Sequence, residues 1–329
     1  MVRILSRDDV RTAVDMLEAI DRVEAAYIQL SRGEADVPVR LALDVPQSDG
    51  IVLIMPGYLP ASGGLGTKIA TVFPHNPEQG LPTIYALYVL NDARTGAPIA
   101  LMEAAFLTAL RTGAASGVAT RLLARPQARV AAIIGAGAQG RTQLEGVCAV
   151  RDIATAWVFD KDRAAAERFA AELSSGGGRM PSDVRVASSA REAVREADVI
   201  CTATTSRYPV FADADLKPGV HINGIGAYKP DMQEVPEETV KRARVLVDSV
   251  AAVLAEAGDL LIPLRRGVIS EGHFGTEIGQ VAAGRQPGRL DPEQITFFKS
   301  VGNAVQDVSV AQLVFQRATE LGLGAEVEL

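Results

Sequence analysis

Three glycines with a characteristic spacing carry the clearest chemical signal in the sequence. They lie in the order G-x-G-x-x-G directly after the apolar run Val130–Ile134, and a stretch of helical character follows them. A strand that turns into a helix through such glycines lets backbone N–H groups approach a pyrophosphate, whose charge the helix N-terminus favours. In this context the pattern predicts a dinucleotide site. The predicted cofactor-binding residues of the loop are Gly135, Gly137, Ala138, Gln139 and Gly140.

An acidic residue at the end of the next predicted strand indicates which nucleotide binds. Asp160 follows Gly140 by 20 residues and ends the run Trp157-Val-Phe-Asp160. A carboxylate at this position binds the adenosine ribose hydroxyls and repels a 2′-phosphate, so the sequence favours NAD. Lys161 and Arg163 keep NADP open as the alternative, because they can serve a 2′-phosphate or be ordinary solvated charges.

Several short segments outside the glycine loop form a second pattern. They are Arg40, Met55-Pro-Gly-Tyr58, Gly66-Thr-Lys68-Ile, Phe73-Pro-His-Asn-Pro77, Gly80-Leu-Pro-Thr83, Leu107-Thr-Ala-Leu-Arg111-Thr-Gly-Ala114, Phe298-Lys-Ser300-Val-Gly302 and Gln306-Asp307. In this order, over almost the whole chain, they resemble the ornithine cyclodeaminase and μ-crystallin family. The resemblance implies an inserted Rossmann domain. It also implies a discontinuous domain, completed by the last segment, that builds a homodimer and holds the substrate.

The resemblance assigns roles to individual residues. Lys68 is implied to be the catalytic acid/base at the reacting Cα–N unit of the substrate, and Arg40 and Arg111 are implied to bind its carboxylate. A guanidinium grips a carboxylate through two hydrogen bonds, and an ammonium beside two cations has a lowered pKa. Each cation alone can equally be a solvated or ion-paired surface group. The resemblance also places Val301 at the substrate, and Thr83, Arg111, Thr112, Thr202, Thr204 and Ser300 at the cofactor.

Two positions depart from the pattern of the ornithine cyclodeaminases. In those enzymes an aspartate after the fifth Rossmann strand handles the protons of the migrating amine, and a second carboxylate meets the distal ammonium of ornithine. The resemblance aligns Tyr228 with the first position and Leu53 with the second. Asp231 or Glu234 can replace the first acid only if the loop shifts by several residues. We therefore expect both acids needed for ring closure to be absent.

These residues lead to one main functional hypothesis and two alternatives. Hydride transfer at Cα needs nicotinamide, a carboxylate clamp and one proton-handling group, and the resemblance implies all three. We expect an NAD(P)-dependent oxidoreductase of α-imino or α-amino acids, either a ketimine reductase such as pyrroline-2-carboxylate reductase or an amino acid dehydrogenase of the alanine type. One alternative is ornithine cyclodeaminase. The other is a μ-crystallin-like protein that binds a small ligand without catalysis, in which the cations would only hold a carboxylate.

Two kinds of sequence rhythm predict the elements that position these residues. Residues 1–35 are predicted to be helical, with a cap at Ser6. The runs 40–45, 51–55, 67–72 and 83–91 predict an antiparallel sheet before a helix from Glu103 to about Leu123. From Val130 onward, strand-like runs alternate with helical ones, which predicts a doubly wound parallel sheet. The fold class is therefore α/β: a Rossmann domain at 123–299 and a discontinuous α+β substrate and dimerisation domain at 1–122 plus 300–329.

Composition and charge exclude several other classes. The chain has 329 residues, a net charge of −7 and a pI of about 5.2, which argues against a nucleic-acid partner. The first residues lack the apolar core of a signal peptide, and no uncharged run is long enough for a membrane helix. Cys148 and Cys201 have no metal-like spacing, so we expect no metal site and a cytoplasmic location in a reducing compartment.

Overall fold

A computed structural model of the protein describes residues 1–174 and 177–328. By its internal contacts the chain divides into two compact units: Met1–Arg111 together with the segment from Asn303 onward, and Thr112–Gly302. The domain limits expected from the sequence, at 122/123 and 299/300, stay a prediction.

The first unit is built on a mixed sheet whose strand order is β14-β1-β6-β5-β4-β3-β2. All its neighbouring pairs are antiparallel except β1 and β6, which run parallel. Its elements are β1 Val2–Leu5, α1 Arg7–Ala13, α2 Met16–Ser31, β2 Leu41–Val45, β3 Gly50–Leu59, β4 Gly64–Val72, β5 Ile84–Asp92, β6 Pro98–Glu103, the start of α3 Ala104–Leu123, α11 Ala304–Glu320 and β14 Ala325–Val327.

The N-terminal region corrects one prediction and agrees with another. Strand β1 lies inside the stretch that the sequence predicts to be helical throughout, and that prediction is wrong there because β1 pairs with β6 and β14. The predicted cap at Ser6 is present. Ser6 accepts a hydrogen bond from the backbone N–H of Asp9, whose carboxylate accepts one from Ser6, so a capping box starts α1.

Helix α11 lies very close to strands β3 and β4 because two glycines leave room for it. A Cβ at Gly57 would come within 2.9 Å of Val308, and one at Gly64 would come within 2.6 Å of the same side chain. Larger residues at these positions would push the helix away from the sheet. The absence of side chains therefore brings the first turns of α11, and Asp307 with them, down onto β4.

The second unit is a fully parallel sheet with the strand order β12-β13-β11-β10-β7-β8-β9. The order reverses between β7 and β10, which is the switch point where doubly wound folds bind their ligands. Its elements are β7 Val130–Ile134, α4 Ala138–Val150, β8 Thr155–Phe159, α5 Arg163–Ser174, β9 Asp183–Val186, α6 Ala190–Val194, β10 Val199–Thr202, β11 His221–Gly224, α7 Glu237–Arg242, β12 Arg244–Val247, α8 Val250–Glu256, α9 Gly258–Arg265, α10 Ile278–Ala282 and β13 Thr296–Lys299.

The predicted fold class is confirmed. One strand of this unit, β13, was not predicted from the sequence. Strand β13 pairs with both β11 and β12, and all four of its residues are buried. Helices α3 and α4 approach each other closely within this unit because Gly113 has no side chain: a Cβ there would lie 2.2 Å from the carbonyl oxygen of Thr142.

In the described part of the chain, no helix is long and apolar enough to cross a membrane. The cytoplasmic location stays a prediction.

Candidate active site

Lys68 and Asp307 form a buried ion pair in the first unit. Lys68 lies in β4 and faces α11, because side chains alternate between the two faces of a strand and its neighbour Ile69 is exposed on the other face. Asp307 lies in the first turn of α11. Lys68 Nζ is 2.9 Å from each oxygen of the Asp307 carboxylate. Both side chains are almost fully removed from solvent, so water screens this pair very little.

The electrostatic surroundings of Lys68 bring the pKa of its amine close to neutral pH. Burial first, and then the charge of Arg111, lower the pKa of Lys68 to about 7. Asp307 raises that pKa, while Arg40 lowers it further. An amine whose pKa lies near the working pH can donate a proton in one step and accept one in another.

Two further contacts hold Arg111 beside this pair. Its Nε lies 3.0 Å from Oδ1 of Asp307, and its Nη1 donates a hydrogen bond to Gln306. Gln306 in turn donates to the hydroxyl of Tyr27 on α2. All these side chains are buried. The unit thus holds a lysine, an aspartate and an arginine in one fixed cluster, and Arg40 directly precedes β2 at its margin.

The strand register places an apolar row next to this cluster. Met55, Lys68 and Tyr88 are paired across β3, β4 and β5. Two residues further along the same strands, on the same face, the sheet carries only small or aliphatic side chains. This second row consists of Ala42, Leu53, Ala70 and Ala86.

The glycine loop of the second unit has the geometry of a phosphate-binding turn. Gly135 has φ of +108°, which other residues rarely adopt, and a Cβ at Gly140 would lie 2.2 Å from its carbonyl oxygen. Gly137 is the N-cap of α4, and both Gly137 and Ala138 are exposed. Gln139 Oε1 is buried and has no hydrogen-bond partner in the described structure. Free N–H groups at an exposed helix start and an unpartnered amide fit a phosphate-bearing ligand.

Asp160 connects the end of β8 to this loop. Its Oδ2 accepts a hydrogen bond from Ala136 N at 2.7 Å, and its Oδ1 accepts one from Asp162 N at 2.9 Å. A carboxylate has about four acceptor positions, so both oxygens can still accept from ribose hydroxyls. The structure therefore brings Asp160 together with the glycines, as a nucleotide site requires.

A buried glutamate ties together the loops that follow β10 and β11. The Glu234 carboxylate accepts hydrogen bonds from the hydroxyls of Thr202 and Thr204 and from the backbone N–H groups of Thr204, Gly226 and Ala227, at 2.6–3.1 Å. Burial, followed by the nearby charge of Asp259, raises the pKa of Glu234. The two threonine hydroxyls are committed as donors, so they can only accept from a ligand.

Polar side chains at the end of β13 and directly after it pair with buried aspartates. Lys299 is fully buried and pairs with Asp259 at 3.0 Å, and the hydroxyl of Ser300 donates to Asp248 at 2.7 Å. Val301 is buried next to Ser300. The predicted cofactor and substrate contacts of Ser300 and Val301 stay predictions.

Two more predicted cofactor residues occupy different settings. Thr112 is buried in α3 at the start of the second unit. Thr83 is half-buried just before β5 in the first unit, and its carbonyl oxygen accepts a hydrogen bond from Phe73. Their contacts with a nucleotide stay predictions as well.

The positions that a cyclodeaminase would use carry no available base. Tyr228 is half-buried, and Lys229 lies over its ring at 6.0 Å. Asp231 is exposed and pairs with Arg207 at 3.3 Å. Glu234, the other residue considered as a replacement acid, is enclosed by the five donors described above. Among the described residues, no group of three or more His, Cys, Asp or Glu side chains is placed to hold a metal ion.

Sequence reasoning did not assign a role to Asp307. In the sequence it belongs to the segment Gln306-Asp307, and it is an acidic residue among the mostly apolar buried positions of α11, four residues after the N-cap Asn303. Such a position favours a carboxylate at a helix start, and this role alone explains the residue without any site. Its partner Lys68 lies 239 residues earlier in the chain, so only the folded structure shows the pair.

The chain combines two units. One has the doubly wound fold of dinucleotide-binding domains, and the other is a discontinuous α+β unit with a buried lysine cluster. Together they define a class of two-unit α/β proteins. The chain belongs to the Ornithine cyclodeaminase/mu-crystallin family, which it matches over residues 2–322. The family expected from the sequence is confirmed.

Similar proteins from bacteria and archaea cover nearly the full chain. A Δ(1)-pyrroline-2-carboxylate reductase of Bacillus cereus is 39% identical over 326 residues, 99% of either protein. The structure of the Thermococcus litoralis Δ(1)-pyrroline-2-carboxylate reductase in complex with NADH and L-proline is 44% identical, has a TM-score of 0.95, and covers 99% of this chain and 100% of that one. An archaeal alanine dehydrogenase dimer with bound NAD is 36% identical, with a TM-score of 0.92 over 99% of each chain.

Proposed function

We propose that the protein is an NAD-dependent oxidoreductase that transfers hydride at the Cα of a small α-imino acid, with Δ1-pyrroline-2-carboxylate as the first substrate to test. The observation that carries the proposal is the buried Lys68, whose pKa is about 7 and whose neighbours include two arginines. This combination suits a substrate that has a carboxylate and a nitrogen on adjacent atoms. The similarity to pyrroline-2-carboxylate reductases and to an alanine dehydrogenase supports the same reaction class.

The cations of the first unit have two different roles in the proposed reaction. Arg40 and Arg111 bind the substrate carboxylate, which fixes the orientation of Cα and of the nitrogen. In the direction of reduction, protonated Lys68 donates its proton to the imine nitrogen. In the opposite direction, neutral Lys68 accepts the proton of an amino acid as the imine forms. The hydride-transfer step of an amino acid dehydrogenase is therefore the same chemistry in reverse, and hydrolysis of the imine to a 2-oxo acid and ammonia would follow it. The nicotinamide, when bound, supplies or accepts the hydride.

The apolar row beside Lys68 favours a small hydrocarbon side chain on the substrate. Leu53 and the three alanines offer no hydrogen bond to a distal amine or carboxylate. A charged group placed against such a surface would lose its hydration without compensation. A proline-like ring or an alanine methyl group avoids this cost.

The proposed cofactor is NAD. We propose that the N-terminus of α4, with Gly135, Gly137, Ala138, Gln139 and Gly140, holds the pyrophosphate and that Asp160 binds the adenosine ribose. The remaining proposed cofactor contacts are Thr83, Arg111, Thr112, Thr202, Thr204 and Ser300. Because the hydroxyls of Thr202, Thr204 and Ser300 already donate to buried carboxylates, they would accept hydrogen bonds from the cofactor.

We expect the purified protein to oxidise NADH when Δ1-pyrroline-2-carboxylate is added, and to do so less efficiently with NADPH because Asp160 would repel a 2′-phosphate. Absorbance at the NADH band and the appearance of L-proline measure the reaction. The panel includes 2-oxo acids with ammonia or methylamine as controls for imine specificity. No oxidation with any member of the panel would reject the proposed function, and a higher kcat/KM with NADPH would reject the role of Asp160.

We also propose that two copies associate through the outer face of the first unit's sheet. This face is opposite to α11, and strand pairing aligns its apolar residues in two adjacent rows. An exposed apolar patch on a soluble domain marks an interaction surface. The similar archaeal alanine dehydrogenase is a dimer, which supports a second copy as the occupant. The most exposed members are Leu41, Leu43, Ile69, Tyr85 and Leu87, at 42–58% of their full exposure.

Replacing Leu87 with aspartate should convert the dimer to a monomer. The substitution places a charge in the centre of the apolar rows, where burial against a partner would leave that charge unpaired. Light scattering after size exclusion measures the mass of the wild type and the variant. Leu290→Asp is the matched control, because Leu290 is similarly exposed in a loop of the other unit. A wild-type protein that is monomeric, or a Leu87→Asp protein that stays dimeric, contradicts this interface.

A further inference from the structure

Asp307 is a buried carboxylate that contacts both the proposed proton-handling group and one of the proposed carboxylate-binding cations. Its oxygens each lie 2.9 Å from Lys68 Nζ, and Oδ1 also lies 3.0 Å from Arg111 Nε. It has no exposed surface, and its place in the first turn of α11 favours a negative charge. The charge of Asp307 therefore acts directly on these two cations.

The negative charge of Asp307 opposes the two positive charges that act on Lys68. These charges come from Arg40 before β2, Arg111 on α3 and Asp307 on α11, while Tyr88 faces Lys68 from β5. Tyr88 stays neutral because burial raises the pKa of its phenol well above the usual value. Asp307 is the carboxylate that pairs with both Lys68 and Arg111, and all three side chains are buried. Without Asp307, the buried Arg111 and the protonated Lys68 would both lose this partner, which is costly.

We propose that Asp307 is a positioning residue for the reaction proposed above, which orients the Lys68 ammonium through two hydrogen bonds and favours its protonated form. The inference rests on the proposed function. Asp307 contacts no reacting atom and acts only through Lys68 and Arg111. Its carboxylate holds the lysine in one rotamer, so that the remaining N–H of the ammonium is free to point at the substrate nitrogen.

The step that Asp307 supports is balanced without any change in Asp307 itself. Bound NADH would supply the hydride for the new Cα–H bond and become NAD+. The π electrons of the C=N bond then pass to nitrogen, which takes a proton from Lys68. Lys68 then regains a proton from solvent. Asp307 neither gives nor takes a proton in this step, which distinguishes it from a catalytic acid or base.

Asp307→Asn should move the pH dependence of kcat/KM to lower pH. In the wild type we expect a midpoint near 7 that reports Lys68 in the free enzyme. Removing an opposite charge at this distance lowers the pKa of the lysine, so the midpoint should fall by about 1–3 pH units. Because both directions depend on the same lysine, imine reduction and proline oxidation should shift together. The substrate's own ionisations are common to both proteins and do not contribute to the difference.

Two further variants separate this role from a loss of packing. Asp307→Glu keeps the charge, and its midpoint should stay close to the wild-type value even if its rate is lower. Ser309→Ala removes a buried hydroxyl from the same helix, two residues away, and should change neither rate nor midpoint. A merely structural role predicts that Asp307→Asn lowers the rate equally at every pH. That result, with the midpoint unmoved, would overturn the inference.

A measurement without substrate tests the same inference if no imino acid is reduced. The pKa of Lys68 falls from 10.5 to about 7 on folding, so the folded state binds fewer protons between these values and this group's contribution to stability rises above about pH 7. In Asp307→Asn the rise should begin about 1–3 pH units lower. Urea unfolding of both proteins, each also with Lys68→Met, isolates this contribution by difference. An identical onset rejects the role of Asp307, whereas failure of NADH oxidation in the wild type rejects the proposed function instead.

Discussion

Replacing Lys68 with methionine should lower turnover of the imino acid by about 10²–10⁴-fold, the usual contribution of a positioned acid or base. Methionine fills much of the volume of the lysine but has no proton to donate. The variant leaves Asp307 paired with Arg111, so the cluster retains one of its two cations. We therefore expect the loss to appear mainly in kcat, with the substrate carboxylate still bound by Arg40 and Arg111.

The nucleotide site provides the internal control for this experiment. Lys68 belongs to the first unit and the glycine loop to the second, so NADH should bind to Lys68→Met as it does to the wild type. Fluorescence titration with NADH measures this directly. Lys241→Met removes an exposed lysine on α7 and should leave both turnover and binding unchanged. Undiminished turnover in Lys68→Met would remove the lysine from the mechanism.

The sequence predicted the parts of the candidate site that depend on local pattern. The glycine loop and Asp160 lie within one strand–helix–strand segment, and the structure places them together with hydrogen bonds. Lys68 is identified in the sequence only through a resemblance. Its low pKa, by contrast, depends on burial beneath α11, which the chain reaches only after the whole second unit. No role was assigned to Asp307 from the sequence, because its side chain pairs with Lys68 and Arg111, which lie far from it in the chain.

The missed strands have a similar physical explanation. Strand β6 begins at Pro98 and runs directly into α3, so its few residues look like the approach to a helix. Strand β13 contains Lys299, and a lysine normally indicates an exposed position. Here the lysine is buried because it pairs with Asp259, which lies 40 residues earlier in the sequence. Strand β1 is short, and its pairing partners β6 and β14 both lie far from it in the sequence. For β1 and β13 the deciding interaction lies outside any local window.

Ornithine should not be converted efficiently to proline and ammonia, although a cyclic imino acid is reduced. Ring closure needs the distal amine delivered unprotonated to an iminium carbon, so one carboxylate must bind its ammonium form and another group must take its proton. At the position of the ammonium-binding carboxylate the chain has Leu53, which lies in a row of alanines and has no polar atom. Placing an ammonium against it would cost several kcal/mol.

The second requirement fails for a different reason at each candidate base. Tyr228 is a phenol, whose ordinary pKa near 10 makes it a poor base at neutral pH. Asp231 is an exposed partner of Arg207, and Glu234 already accepts five hydrogen bonds in a fully buried position. Releasing Glu234 for proton transfer would leave several backbone N–H groups of two loops unpaired, at about 1–3 kcal/mol each. Reduction of an imine that is already cyclic makes none of these demands.

Incubation with ornithine and catalytic NAD, followed by assays for proline and ammonia, tests this prediction against the rate with Δ1-pyrroline-2-carboxylate. The double variant Leu53→Glu with Tyr228→Asp restores an acid at both aligned positions and should gain ornithine turnover relative to the wild type if those positions limit the reaction. Tyr228→Phe is the control that changes the proton-handling position without adding a base. Comparable wild-type rates with ornithine and the imino acid would show that another group handles the proton, and Glu234→Gln would then be the first variant to compare.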